Sequence, residues 1–186
     1  DPTVPPGMEQ LLREARAAGV LTLPLTMMPV SMEGYFHQPW DRIEQGARTG
    51  EGDELLSVGP IKLVLDGGHN CAMCTSVGRA LTSALEVIAS CVQRRSLDSL
   101  RTLAELTPRL GGDLRVHSGI KMYDDQTATD LLRSAGERGF STATHAFGNE
   151  AIDQIVTVFE RANIQRHPVH PLRIEHATLL NDELIG

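Results

Sequence analysis

The chain of 186 residues can build one domain with its own core, and its 41% hydrophobic and 22% charged residues are ordinary for a globular protein. A formal charge of −7 with no dense basic stretch argues against nucleic acid as a partner, and no apolar run reaches the roughly 18 residues of a membrane helix. Three cysteines, Cys71, Cys74 and Cys91, make no disulfide framework, and "DPTVPPGMEQ" lacks signal-peptide features, so a cytoplasmic location is expected.

The first element predicted is an amphipathic helix over 8–19, with Leu11, Leu12, Ala15 and Ala18 on one face and Gly19 at its end. "VLTLPLTMMPV" follows at strand length, made irregular by Pro24 and Pro29. Residues 31–59 read as an irregular excursion. "PIKLVLD" (60–66) is the clearest strand, a near-continuous apolar run stopped by "GG", as suits a parallel strand buried on both faces. A helix over 75–93 has Val77, Leu81, Ala84, Ile88 and Cys91 at helical spacing. A second helix over 97–112 is stopped near Pro108, and a strand over 114–123 is interrupted at Ser118-Gly119. Residues 95–122 thus read as an insertion. Beyond it the pattern turns regular: a helix capped by Asp124 or Asp125 and closed by Gly139, the strand "FSTATHA", a helix from Asn149 with Ile152, Ile155, Val156 and Phe159 inward, and the strand "LRIEHAT". Strands alternating with helices across short loops predict a parallel α/β sheet.

Functional groups of such folds sit at the C-terminal ends of strands. His145 and His176 both fall there, 31 residues apart, close to the roughly 30 of one βαβ unit. Alternation groups Ser141, Ala143 and His145 on one face and Leu172, Ile174 and His176 on another. Each histidine alone is compatible with a satisfied interior residue; two in register point to ligands of one ion. Lys62, in mid-strand, is anomalous, because an unpaired buried ammonium costs several kcal/mol. It is either paired with Asp66, which shares its face, or an amine of lowered pKa free to react. With carbon dioxide such an amine gives a carbamate, a carboxylate able to hold metal.

"VGPIKLVLDGG", "THAFGNEAID" and "RIEHATLLNDELI", in this order, resemble the metal-dependent amidohydrolase superfamily, and within it the amidohydrolase-3 (YtcJ-like) group. The resemblance runs across most of the chain. It implies a distorted (β/α)8 TIM barrel with one or two divalent metals, usually zinc, at its mouth. It implies metal ligation by a carboxylated lysine on the fourth strand and by histidines ending the fifth and sixth, roles that fall to Lys62, His145 and His176. Hydrolysis of an amide or other C–N bond by metal-activated water is the activity implied, on a small-molecule substrate. The family's first-strand His-x-His is absent, and no eighth-strand aspartate follows to act as acid and base. A whole barrel also needs roughly 250 residues. The chain is therefore expected to be one partial barrel domain over 1–186, about strands three to six, needing the rest of the barrel or a homo-oligomer to cover its edges. The alternative is a non-catalytic α/β domain that self-associates or binds a partner.

Lys62 and His145 are 83 residues apart, more than one βα unit, which leaves Lys121 as a rival strand-four lysine; the more buried run around Lys62 favours Lys62. "HNCAMC" clusters His69, Cys71 and Cys74 after that strand. Without a second Cys-x-x-Cys, these residues are read as lining a substrate pocket together with Asp66 and Asn149, as a structural zinc site, or as carrying no chemistry. His117 is expected to be packed, His37, Trp40, His167 and His170 to be surface residues, and Arg173 with Glu175 to form a strand-to-helix ion pair.

Overall fold

A computed structural model describes residues 3–30, 43, 46–68, 70–105, 107–162 and 171–185, and the chain divides into two units. The first takes in 1–64, 123–145 and 155–175; the second takes in 65–122, 146–154 and 176–186.

The first unit holds the parallel strands. Helix α1 (Pro6–Ala17) follows β1 (Thr3–Val4), and β1 and β3 (Leu56–Val58) flank β2 (Leu25–Pro29), both in parallel. Pro29 is tolerated because it is the last residue of β2, paired with Val4 at the ladder's end. Val4, Met27, Leu56 and Val58 make a buried cluster against which Leu12, Leu21 and Leu25 pack. Leu11, expected on the same helix face, is 57% exposed. Just before β3 the Asp53 carboxylate accepts the backbone N–H groups of Leu55 and Leu56, at 2.9 Å each, and the Arg16 guanidinium. Those donors, the Arg16 hydrogen bond foremost, hold its carboxyl below the ordinary value of 3.8. A carboxyl depressed in the folded state stabilises above its unfolded pKa, and that stability is lost as pH falls through the folded value. Asp53→Asn is accordingly expected to flatten the acid limb of the stability curve below about pH 4, as read from urea unfolding at several pH values. An unchanged acid limb would show that Asp53 does not contribute.

A second three-stranded sheet has the order β4 (Ile61–Val64), β8 (Thr142–Ala146), β9 (Arg173–His176). Strands β4 and β8 are parallel and directly hydrogen bonded, from Ile61 opposite Thr142 to Val64 opposite His145. A parallel bridge from Val30 to Lys62 connects β4 to the end of β2. The separation of 83 positions between Lys62 and His145 thus falls between neighbouring strands. Helix α4 (Asp125–Glu137) ends that stretch; its N-cap Asp124 accepts the Thr127 N–H at 2.7 Å, and Ala128, Leu132 and Ala135 are buried. Helix α5 (Asn149–Ala162) runs on to β9. It buries Ala151, Ile152, Ile155 and Val158, whereas Val156, expected inward, is exposed.

The second unit departs from the alternating pattern. Its sheet is antiparallel, with the order β5 (Met73–Ser76), β7 (Arg115–Ser118), β6 (Arg109–Leu110). The helix expected over 97–112 ends at Glu105 as α3 (Asp98–Glu105), because Pro108 breaks it and the chain turns into β6. Helix α2 (Val77–Arg94) is capped by Ser76, whose hydroxyl accepts the Arg79 N–H. The apolar spacing along α2 does not mark a core face: of the stripe, Cys91 is buried, while Val77, Leu81 and Ile88 are exposed. Among the described residues, no helix is long and apolar enough to cross a membrane.

Candidate functional site

Lys62 is buried in β4, 1% exposed. In register beside it on β8 is Ala143, and two positions along is the pair of Val64 and His145. Side chains of parallel neighbours at one register point the same way, so Lys62, Ala143 and His145 share a face. The lysine amine donates to Glu175 on β9 at 3.1 Å. This corrects two expectations. Asp66 is engaged elsewhere, and Glu175 is not half of a strand-to-helix pair: it accepts from Lys62 and also pairs with Arg173 of its own strand. Burial pulls the Lys62 amine below its ordinary pKa, against the opposing pull of the Glu175 carboxylate. Burial likewise works against the Glu175 charge, but the hydrogen bond and charge of Lys62, with Arg173, outweigh it and leave that carboxyl lowered.

His145 is half-buried near the end of β8. On the face of β8 away from it, the hydroxyls of Thr142 and Thr144 are buried without a hydrogen-bond partner among the described residues. His176 is the last residue of β9, and its backbone is left-handed, φ 74°, as is that of Ala177, φ 45°. Consecutive non-glycine residues in that region are strained and persist only when their surroundings enforce them. Here the Ala177 N–H donates to the Ala146 carbonyl at 3.1 Å, and the His176 ring is 6.1 Å from that of Phe147.

Asp66 is completely buried. One carboxylate oxygen accepts the Phe147 N–H at 2.9 Å; the other accepts those of Ala72 and Gly148 at 3.0 and 2.8 Å. Those bonds tie the residues after β4 to the chain leaving β8. Gly148 is required there, because a Cβ would drive into the backbone of Ala72. The Asn149 carboxamide is likewise committed to backbone, donating to the Cys74 carbonyl at 2.8 Å and accepting its N–H at 3.0 Å. Cys71 is buried, and burial, reinforced by the Asp66 charge, pushes its thiol pKa up, away from the thiolate that reactivity needs. Within the second unit, a cavity of about 800 Å³ is lined by Cys74, Val77, Arg115, Asn149 and Leu180 among others, and neither Asp66 nor Cys71 is part of its wall. His69, His37, Trp40, His167 and His170 lie outside the described residues.

Lys62, and not Lys121, stands on the strand hydrogen bonded to β8. Lys121 is 3.7 Å from Glu150 in the second unit. Glu150 also meets His117, which is not simply packed: Nδ1 is 3.1 Å from Glu150 and Nε2 is 3.1 Å from Asp113. Those carboxylates, Glu150 first, raise the His117 pKa.

Comparison with known proteins identifies the family. The Amidohydro_3 profile, described as an amidohydrolase family, matches residues 7–186. YtcJ of Bacillus subtilis (strain 168), named as a candidate amidohydrolase, is 35% identical over 72 residues, 37% of this chain and 12% of that protein. Two solved structures, both uncharacterized metal-dependent hydrolases, share the fold at 18% identity. The one from Pyrococcus furiosus has a TM-score of 0.60 over 97% of this chain and 30% of its own. The one from Pyrococcus horikoshii OT3 has a TM-score of 0.61 over 97% and 29%. The chain thus spans less than a third of the length of each relative. With its profile match running over nearly all of its residues, the chain belongs to the amidohydrolase family.

Proposed function

We propose that the protein is a metal-dependent hydrolase of amide or other C–N bonds in small molecules, in which Lys62, His145 and His176 hold a divalent cation, zinc by preference. This chain supplies that part of the site as a section of a (β/α)8 barrel, with residues 65–122 set into the β4–β8 connection. The observation that carries the reading is the amine of Lys62, buried on β4 beside the strand that bears His145 and on its face. The donor set suits the ion: two imidazoles that ligate as neutral bases, and an amine whose burial favours the uncharged form that adds carbon dioxide.

When bound, the cation would act as a Lewis acid on a substrate carbonyl and acidify water. The chain's own contribution is to hold and orient. Adjacent hydrogen-bonded strands fix Lys62 and His145, Glu175 anchors the lysine stem's end, and Arg173 steadies Glu175. The acid–base carboxylate is expected outside these residues.

The test is elemental analysis and amide hydrolysis on the full-length protein, wild type against His145→Ala/His176→Ala. Metal should be lost, and turnover should fall by roughly 10³-fold, since Lewis-acid stabilisation is worth several kcal/mol. Full metal content and activity in the double variant would refute the assignment. A second reading, a non-catalytic domain that binds a partner, is favoured by the exposed Leu81, Leu85, Ile88 and Val92 along α2. It would prevail if the full-length protein neither binds metal nor hydrolyses any amide and sediments as a complex.

A further inference from the structure

The antiparallel sheet of the second unit gathers a separate set of metal-ligating atoms. Cys74 on β5 and His117 on β7 are direct cross-strand partners, so their side chains leave one face with Cβ atoms about 5 Å apart. Asp113, in the turn between β6 and β7, brings its carboxylate to within 3.1 and 3.2 Å of His117 Nε2. One ligand atom from each of Cys74, Asp113 and His117 lies within 4.8 Å of the other two. Tetrahedral zinc, with bonds of about 2.0–2.3 Å, holds its ligand atoms roughly 3.3–3.8 Å apart, so the set closes on an ion with an adjustment of at most about 1.5 Å.

Three further features fit a site rather than a chance cluster. Glu150 takes the other imidazole nitrogen, Nδ1, at 3.1 Å. A carboxylate there holds the proton on Nδ1, so that an ion displacing the Nε2 proton from between His117 and Asp113 finds the arrangement that metal-bound histidines commonly show. The Arg115 N–H donates to Asp113 Oδ1 at 3.1 Å and so orients that carboxylate from the backbone. Finally, position 111 is a glycine whose Cβ, if present, would come within 2.7 Å of His117 Nε2 and 2.5 Å of Asp113 Oδ1. A side chain there would fill the space beside both ligand atoms.

We propose that Cys74, Asp113 and His117 form a second divalent-cation site, selective for zinc-class ions and separate from Lys62, His145 and His176. One thiolate, one imidazole and one carboxylate make a borderline-soft donor set that suits zinc and cobalt over magnesium or calcium. With three protein ligands, a fourth position is left for water or a small anion. Loading the ion displaces protons from Cys74 and His117, so uptake is accompanied by proton release.

The experiment is a titration of chelator-stripped protein with Co2+, read by the near-ultraviolet thiolate-to-cobalt band, with circular dichroism to confirm folding of each variant. Wild type and His145→Ala/His176→Ala should both develop the band, and Cys74→Ser should lose it. Glu150→Gln should keep the band with affinity weakened about 10- to 100-fold. No band in wild type, or a band undiminished in Cys74→Ser, would overturn the proposal. Should Cys74→Ser not fold, Glu150→Gln decides: cobalt affinity equal to wild type would overturn it, and the stated weakening would sustain it. A band lost in the His145/His176 variant would also overturn it, by placing the ion at those residues instead.

Discussion

In the metal-free protein, with Lys62 an ammonium paired to Glu175, Glu175→Gln is expected to destabilise the parallel unit by about 3 kcal/mol, the lower end of what removing one member of a buried ion pair costs. The loss arises from Lys62, 1% exposed and left without the carboxylate it donates to at 3.1 Å. The pair reaches across a whole strand: β8 lies between β4 and β9, so the side chains span two strand spacings, about 9.6 Å. They can do so because the residue in register with Lys62 on β8 is Ala143, whose methyl leaves the way clear. Lys62→Met/Glu175→Gln should recover part of the loss, since a neutral pair of similar volume avoids leaving the Lys62 charge buried and unpaired. Urea unfolding of the two single variants and the double variant measures the coupling. The same series bears on the lysine's chemical state. An amine carrying a carbamate would be an anion facing Glu175, so Glu175→Gln would then stabilise, and the intact mass would exceed that of the sequence by one carbon dioxide.

The parallel frame was readable in the residues because buried parallel strands are near-continuous apolar runs with recognisable helix signals between them. β4 and β8 show it, as do the Asp124 cap and the glycine at 139 with φ 81°. Lys62 stood out for the same reason: a charge in such a run demands an explanation. Its partner was not readable, since Glu175 is 113 residues away and nothing local distinguishes it from Asp66, which has the right alternation. The antiparallel unit was legible only in part: β7 falls within the strand expected over 114–123, but its partner strands do not stand out. Strands of two to four residues carry too little pattern to separate from loops, and β6 was absorbed into a helix by the periodicity ahead of Pro108. Helix α2 was legible from its apolar spacing, yet that stripe is largely exposed. Periodicity reports that a face is apolar, not what covers it. The grouping of Cys74 with Asp113 and His117 depends on strand register, and the register is set by a hairpin the residues did not announce.

Asp66→Asn is expected to cost the second unit about 3 kcal/mol, although the side chain keeps its shape. The native carboxylate receives three backbone N–H groups, one on Oδ1 from Phe147 and two on Oδ2 from Ala72 and Gly148. An asparagine has one acceptor oxygen. Placed at Oδ2, that oxygen serves Ala72 and Gly148 and turns an NH2 towards the Phe147 N–H, leaving two donors face to face in a buried site; the flipped amide does this twice. One orphaned donor costs roughly 1–3 kcal/mol, and the remaining bonds lose the strength that a charged acceptor gives them. Asp66→Ala, which strands all three donors, should cost more still, unless water enters the space. Urea unfolding ranks the two variants, and amide hydrogen exchange at Ala72, Phe147 and Gly148 shows whether the cost falls where the geometry puts it. Faster exchange at those three amides identifies Asp66 as the tie between the residues after β4 and those after β8. A global loss without that local signature would mean that the charge, and not its donors, is what matters.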